Sequence, residues 1–156
     1  MTAYVGVVGA ASATAEEEAI AERIGRLLAE RGAVVVCGGL GGVMTAACRG
    51  AKSAGGTTIG ILPGEDRSDA NPWVDVAIPT GMGEARNALV ARASDALIAV
   101  GGEFGTLSEI ALALKVGRPV VGIATWTLQR PGLTIDPLLR ADDAAHAVKL
   151  VLERIA

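Results

Sequence analysis

Aromatic side chains are scarce: phenylalanine, tyrosine and tryptophan make up 3% of 156 residues in a chain that is 51% hydrophobic. A core must therefore be assembled from alanine, valine, leucine and isoleucine. Cysteine occurs twice, at Cys37 and Cys48, which provides neither a disulfide framework nor a spaced metal-ligand motif, so no metal site is expected. The one histidine, His146, lies far along the chain from every glycine cluster and is expected on a solvated helix face. Positive charge is in deficit, with a net charge of −3, and that removes any general attraction to nucleic acid. No basic-then-apolar leader opens the sequence. The longest uncharged stretch, Gly32 to Cys48, is broken by glycines in the manner of a strand and loop, not of a membrane span. The expectation is a cytoplasmic protein with no membrane or nucleic-acid partner.

Two familiar nucleotide signatures are missing as well. No G-x-x-x-x-G-K-[ST] occurs, since Lys52, Lys115 and Lys149 each follow a residue other than glycine. The dinucleotide fingerprint is broken: Gly9 is followed by Ala10-Ala11-Ser12-Ala13, and the second strand pattern ends in Cys37-Gly38 where an acid would hold a ribose. These gaps exclude a P-loop NTPase and argue against an NAD-dependent dehydrogenase.

Glycine, by contrast, is abundant, at 21 residues, and it falls in clusters between apolar runs. Tyr4 to Val8 reads as a strand ending at Gly9, followed by a small-residue loop. Thr14, with Glu17 three residues on, forms a capping box that opens a helix carrying Ile20, Ile24, Leu27 and Leu28 on one face. Val34 to Cys37 is a buried strand, and Gly38-Gly39-Leu40-Gly41-Gly42 then leads into a helix over Val43 to Ala54. Thr57 to Leu62 and Val74 to Ile78 are further strands, separated by a polar loop, Pro63 to Trp73, that reads as a flap. A helix over Glu84 to Ala93 carries Arg86 and Asn87 in its first turn. Ala96 to Val100 enters a second glycine turn, and a helix over Leu107 to Val116 leaves it. Val120 to Ala124 is the sixth strand, Leu138 to Arg140 a short edge strand, and Asp142-Asp143 cap a final helix to Ile155. Strands alternating with helices predict one α/β domain over residues 1–156, a Rossmann-like parallel sheet of six or seven strands with helices on both faces.

In such a sheet, ligands bind at the carboxyl ends of the strands, where the glycine loops converge. The stretch from Gly101 to Glu109 is the focus. Its glycines admit a ligand close to the backbone, and the helix that follows offers unpaired N–H groups and a positive dipole end to an anion, most often phosphate. Glu109, one helical turn past Gly105, can return a carboxylate to the mouth of the loop. Arg86, a cation at a helix start where cations are disfavoured, reads as a ligand contact. The apolar helix Leu107 to Val116 needs cover on both sides, which predicts a homodimer or homotetramer.

The segments Gly38 to Met44, Gly55 to Gly64, Ala85-Arg86-Asn87 and Gly101 to Glu109, in this order, resemble the LOG-like (SLOG) Rossmann superfamily, once labelled "lysine decarboxylases", and most of all its branch of molybdenum-cofactor-carrier-like proteins. No lysine here supports the decarboxylase label. The resemblance covers roughly Tyr4 to Ala124. It implies either a binding or carrier protein for a phosphate-bearing, nucleotide-like or molybdopterin-type ligand, or a nucleoside 5′-monophosphate phosphoribohydrolase that cleaves an N-glycosidic bond. No cofactor is required by either reading. A nucleotide monophosphate or the molybdenum cofactor is the implied ligand.

In the hydrolases the motifs are P-G-G-x-G-T-x-x-E and R-K-x-x-M. Here Glu109 matches the glutamate and Arg86 the arginine, and these two are the candidate catalytic residues, the carboxylate meeting positive charge that develops on the ribose. Val100 stands for the proline, Asn87 for the lysine and Val90 for the methionine, departures that favour binding over catalysis. The candidate ligand contacts are Gly9 and Ser12, then Gly39, Leu40, Gly41 and Gly42, then Arg86 and Asn87, and finally Gly101, Gly102, Glu103, Phe104, Gly105 and Thr106.

Overall fold

A computed structural model describes residues 1–156. Seven strands, β1 (Tyr4–Gly9), β2 (Val34–Cys37), β3 (Thr58–Leu62), β4 (Val76–Pro79), β5 (Ala96–Val100), β6 (Val120–Ile123) and β7 (Leu139–Arg140), pair throughout in parallel, in the order β4-β3-β2-β1-β5-β6-β7. Five helices connect them: α1 (Ala15–Glu30), α2 (Val43–Ser53), α3 (Asn87–Ala93), α4 (Phe104–Lys115) and α5 (Ala144–Ile155). This is a Rossmann-like α/β fold. The chain builds outward from β1 to β4, then returns to the other side of β1 with β5, so strand order reverses between β1 and β5. A crevice opens at the carboxyl ends of those two strands for that reason.

Period-2 alternation divides the core. Val5 and Val7 of β1, with Ala96, Ile98 and Val100 of β5, face α1, α2 and α5. Val8, Leu97 and Ala99 face α3 and α4, meeting Val90, Ala91, Ile110 and Ala113. No aromatic ring is among these buried residues, and the helices approach closely as a result. At the α1–α2 seam, a Cβ on Gly25 would be driven into the carbonyl of Ala47, and one on Gly50 into that of Glu22. The capping box at Thr14 forms as expected, with Glu17 N–H donating to the threonine hydroxyl (3.1 Å) and Thr14 N–H donating to the Glu17 carboxylate (3.0 Å).

The differences from the sequence reading lie at element ends. The α4 helix starts at Phe104, three residues early, so Phe104, Gly105 and Thr106 are helical and not loop. The expected helix over Glu84 to Ala93 is a 3₁₀ turn, Gly83–Arg86, running into α3. β4 begins at Val76, because the Asp75 carboxylate takes the amide of Thr58 (3.0 Å) and the ammonium of Lys52 (2.9 Å) before the strand is entered. The segment read as a flap is tied down: Asn71 donates its backbone N–H to Gly39 (2.9 Å) and its side-chain amide to the carbonyl of Leu40 (3.0 Å). The buried stripe of α4 is Thr106, Glu109, Ile110 and Ala113, so the helix presents two polar residues to the interior at its crevice end.

Cys37, the last residue of β2, and Cys48, on α2, are both fully buried free thiols with sulfurs 3.5 Å apart. The two thiols share a hydrogen bond in which either sulfur can donate, and the Cys37 sulfur also accepts from the amide of Gly39 (3.3 Å). These bonds hold Cys37 below the usual thiol range and, with burial, push Cys48 above it. No helix is long and apolar enough to cross a membrane.

Candidate functional site

The crevice is a cleft of about 1140 Å³. Its walls combine the β1–α1 loop (Gly9 to Ser12), Leu40 and Met44 around the α2 start, the 3₁₀ turn with Arg86 and Asn87, and the α4 start with Glu103, Gly105, Thr106 and Glu109. Four loops distant in sequence meet there because all four leave parallel strands at the same edge.

At the α4 start, Glu103 is the N-cap residue but provides no side-chain cap. The first amide with an intrahelical partner is that of Leu107, which donates to Glu103 (3.0 Å). The three amides before it have no partner within the helix, and they carry the positive end of the helix dipole. Gly105 faces open space, with nothing within 4 Å of where a Cβ would stand. Gly102, at φ +102°, lacks the Cβ that would strike the Thr106 side chain. The loop is thus shaped for close approach, and Thr106 adds a buried hydroxyl beside it.

Arg86 is not a surface arginine paired to a local acid. It is 8% exposed and donates to the carbonyl of Gly38 (3.3 Å) and to the Asn87 amide oxygen. Its buried Nε has no partner. A buried guanidinium donor left unpaired is a strong cost unless something fills the space beside it. Asn87 relays this anchor, donating to the Ser108 hydroxyl (2.9 Å), which in turn donates to the carbonyl of Gly105 (2.6 Å). The asparagine in place of the motif lysine therefore ties the arginine to the glycine loop. Ser108 was not among the sequence candidates, although it lies within the motif.

Glu109 projects into the same cleft, 7% exposed. Burial pushes its carboxyl up to about 7, against the opposing pull of the Arg86 guanidinium. A carboxyl that is half protonated near neutral pH can act as either proton donor or acceptor.

The remaining sequence candidates divide. Gly9, Ser12, Leu40, Arg86, Asn87, Glu103, Gly105 and Thr106 line the cleft with Glu109, whereas Gly39, Gly41 and Gly42 do not line it. Gly42, at φ +59°, lets the α2 start pack on the carbonyl of Ala10. Gly101 and Gly102 line a smaller cavity of about 400 Å³ that shares Ser12 and Glu103 with the cleft. Phe104 lines neither and is 75% exposed. The motif spacing also corrects one assignment. Counted back from Gly105, the motif proline falls on Gly101 and its second glycine on Glu103. An acid thus occupies a glycine position at the mouth. Met44, Pro63 and Met82 were missed, since a lining apolar side chain leaves no sequence signal. No group of three or more His, Cys, Asp or Glu residues is placed to hold a metal ion.

The chain matches the model of the SLOG cluster4 family over residues 2–148. An uncharacterised protein of Archaeoglobus fulgidus is 50% identical over 119 residues, 76% of this chain and 78% of that one. Among solved structures, the molybdenum cofactor binding protein of Rippkaea orientalis is 37% identical, with a TM-score of 0.91 over 100% of this chain and 99% of that one. The molybdenum cofactor carrier protein of Chlamydomonas reinhardtii is 36% identical, with a TM-score of 0.86 over 99% and 98%.

Proposed function

The chain belongs to the SLOG cluster4 family, and from that premise we propose that it is a carrier for a phosphate-bearing ligand of the molybdenum-cofactor type, held in the cleft without turnover. The observation that carries this reading is the pairing of the uncapped α4 start with the buried, unpartnered Nε of Arg86. Both are donors in search of acceptor oxygens, and a phosphate supplies several. The likeness to the Rippkaea and Chlamydomonas proteins supports a cofactor of that kind as the cargo. Backbone amides of Phe104 to Thr106 and the Thr106 hydroxyl would hold the phosphate, with Arg86 closing on it from the 3₁₀ turn. The bound cofactor would bring its own redox-active metal; the residues here contribute grip and shielding.

A second reading, a nucleoside 5′-monophosphate phosphoribohydrolase, is favoured by Glu109. Its carboxyl stands in the cleft with no hydrogen bond to Arg86, free to meet a ribose. Incubation with a panel of nucleoside monophosphates, followed by thermal shift and by chromatography for free base, separates the two. Stabilisation without product supports the carrier. Free base and ribose 5-phosphate that vanish in Glu109→Gln establish the hydrolase. Absence of both stabilisation and product with every phosphate compound refutes the site.

We also propose that the chain is a homo-oligomer. Val76 and Ile78 are exposed on the same face of the edge strand β4, and Leu107, Leu112 and Leu114 of α4 are only partly buried. Light scattering that finds a monomer at micromolar concentration would overturn this.

A further inference from the structure

The chain has two cysteines and three methionines, and three of these residues, Cys37, Met44 and Cys48, pack into one buried cluster. Cys37 ends β2, while Met44 and Cys48 lie one helical turn apart on α2 and so share a helix face. The two thiol sulfurs are 3.5 Å apart. The Met44 sulfur stands beside Gly38, the residue after Cys37, 2.8 Å from where a Cβ on that glycine would be. Both cysteines are fully buried, whereas Met44 also lines the cleft. The side chains packed around the cluster, Leu40 and Val74, are apolar. Aliphatic side chains would fill such a place as well; what sulfur adds is a polarisable donor. Cysteine spacing alone misses this group, because its third sulfur belongs to a methionine.

We propose that Cys37, Cys48 and Met44 form a binding site for a soft monovalent metal ion of the copper(I) class, with Met44 as the ligand that reaches the cleft. Thiolate and thioether sulfurs select such an ion. Zinc asks for four tetrahedral ligands, and no third cysteine, histidine or carboxylate is grouped with these two cysteines. Metal–sulfur bonds of about 2.3 Å, the zinc–thiolate length, set the sulfurs of a trigonal site about 4 Å apart. The thiols need only part from 3.5 Å to about that distance. On binding, each thiol gives its proton to solvent, so two thiolates and one monovalent ion leave a single negative charge. The Arg86 guanidinium, which donates to the carbonyl of Gly38 (3.3 Å), is next to the site and offsets that charge. The site does not depend on what the cleft carries.

The test uses the full, reduced chain under anaerobic conditions, with copper(I) offered from a chromophoric chelator. The chain should withdraw one equivalent of copper(I) and gain the ultraviolet absorption of a copper–thiolate bond. At a hundredfold excess over the dissociation constant, the ion should raise the melting temperature by roughly 5–10 °C, and zinc should leave it unchanged. Cys37→Ser and Cys48→Ser should each abolish the withdrawal while circular dichroism stays native. Met44→Leu keeps the volume and removes the sulfur. It should weaken copper(I) by at least about tenfold, since even partners one shell beyond the ligands cost about 10–100-fold. No withdrawal by the wild type overturns the site, and so does a fall in melting temperature, which would mean that the ion prefers the unfolded chain. Undiminished affinity in Met44→Leu overturns the three-sulfur arrangement, and decides the matter alone if the serine variants do not fold. Stabilisation by zinc equal to that by copper(I) overturns the choice of ion.

Discussion

Replacing Glu109 with glutamine should flatten the pH dependence of the protein's stability between about pH 5 and pH 8. In the folded protein the carboxyl titrates at about 7, against an ordinary value of 4.5, because burial penalises the charged form more than Arg86 favours it. The native state therefore holds the proton more tightly than the unfolded chain. Stability is greatest below the unfolded value, declines as pH rises above about 4.5, and levels off above about 7. The gap between the two values corresponds to about 3 kcal/mol once ionisation is complete. The group is nearly fully buried, so solvent screening subtracts little from it. Glutamine keeps the shape and cannot ionise, so it avoids that penalty. Urea melts should find the two proteins of similar stability near pH 5 and the variant ahead by about 3 kcal/mol at pH 8. For a chain of this size that corresponds to roughly 6–12 °C in melting temperature. Parallel wild-type and variant profiles across this range, or a gap that widens toward acid, would refute the claim that Glu109 is a desolvated acid in the cleft.

Further outcomes follow from specific contacts. Gly50→Ala should destabilise by about 3 kcal/mol or more in urea melts, since its methyl group meets the backbone of α1 and not a movable side chain. Thr14→Ala should cost about 1 kcal/mol through loss of the capping box. Gly105→Val should leave the fold intact, its Cβ entering open space, yet abolish phosphate binding by filling the approach; His146→Ala should leave calorimetric binding unchanged. Arg86→Met should weaken a phosphate ligand by about 1.5–3 kcal/mol, the range for a hydrogen bond to a charged group, and an undiminished affinity would remove Arg86 from the site.

The fold was legible because β1 to β5 are short apolar runs ended by glycine or proline, and α1, α2, α4 and α5 each have a glycine stop or a side-chain cap. Thr14 with Glu17, and Gly32 after Glu30, place α1 within a residue. The α4 start was read three residues late because Glu103-Phe104-Gly105 resembles loop, and only the tertiary position of Phe104, packed on Trp126, shows it to be helical. Much of the cleft was also legible, since Gly9, Arg86, Gly105, Thr106 and Glu109 sit at strand ends that parallel pairing brings to one edge. What escaped depends on contacts between distant segments. Trp126 in an irregular connection, Met82 before a 3₁₀ turn, and the relay from Asn87 through Ser108 carry no periodicity that marks them. Cys37 and Cys48 read as two isolated thiols until β2 and α2 set their sulfurs side by side.

That buried thiol pair makes the protein's own opening measurable. Neither sulfur reaches solvent in the native state, so an aromatic disulfide reagent can label them only when β2 and α2 separate. At low reagent concentration the labelling rate is the intrinsic thiol rate scaled by the fraction of molecules open at that moment. Cys37 leads directly into the Gly38–Gly42 loop, whose Leu40, together with Met44, lines the cleft, so this opening dismantles one wall of it. Any molecule that occupies the cleft must leave before the thiols can react, and the labelling rate falls with the fraction of protein left unoccupied. Two cysteines that form no disulfide thus give a colorimetric readout of cargo loading, without a label and without knowledge of what the cargo is.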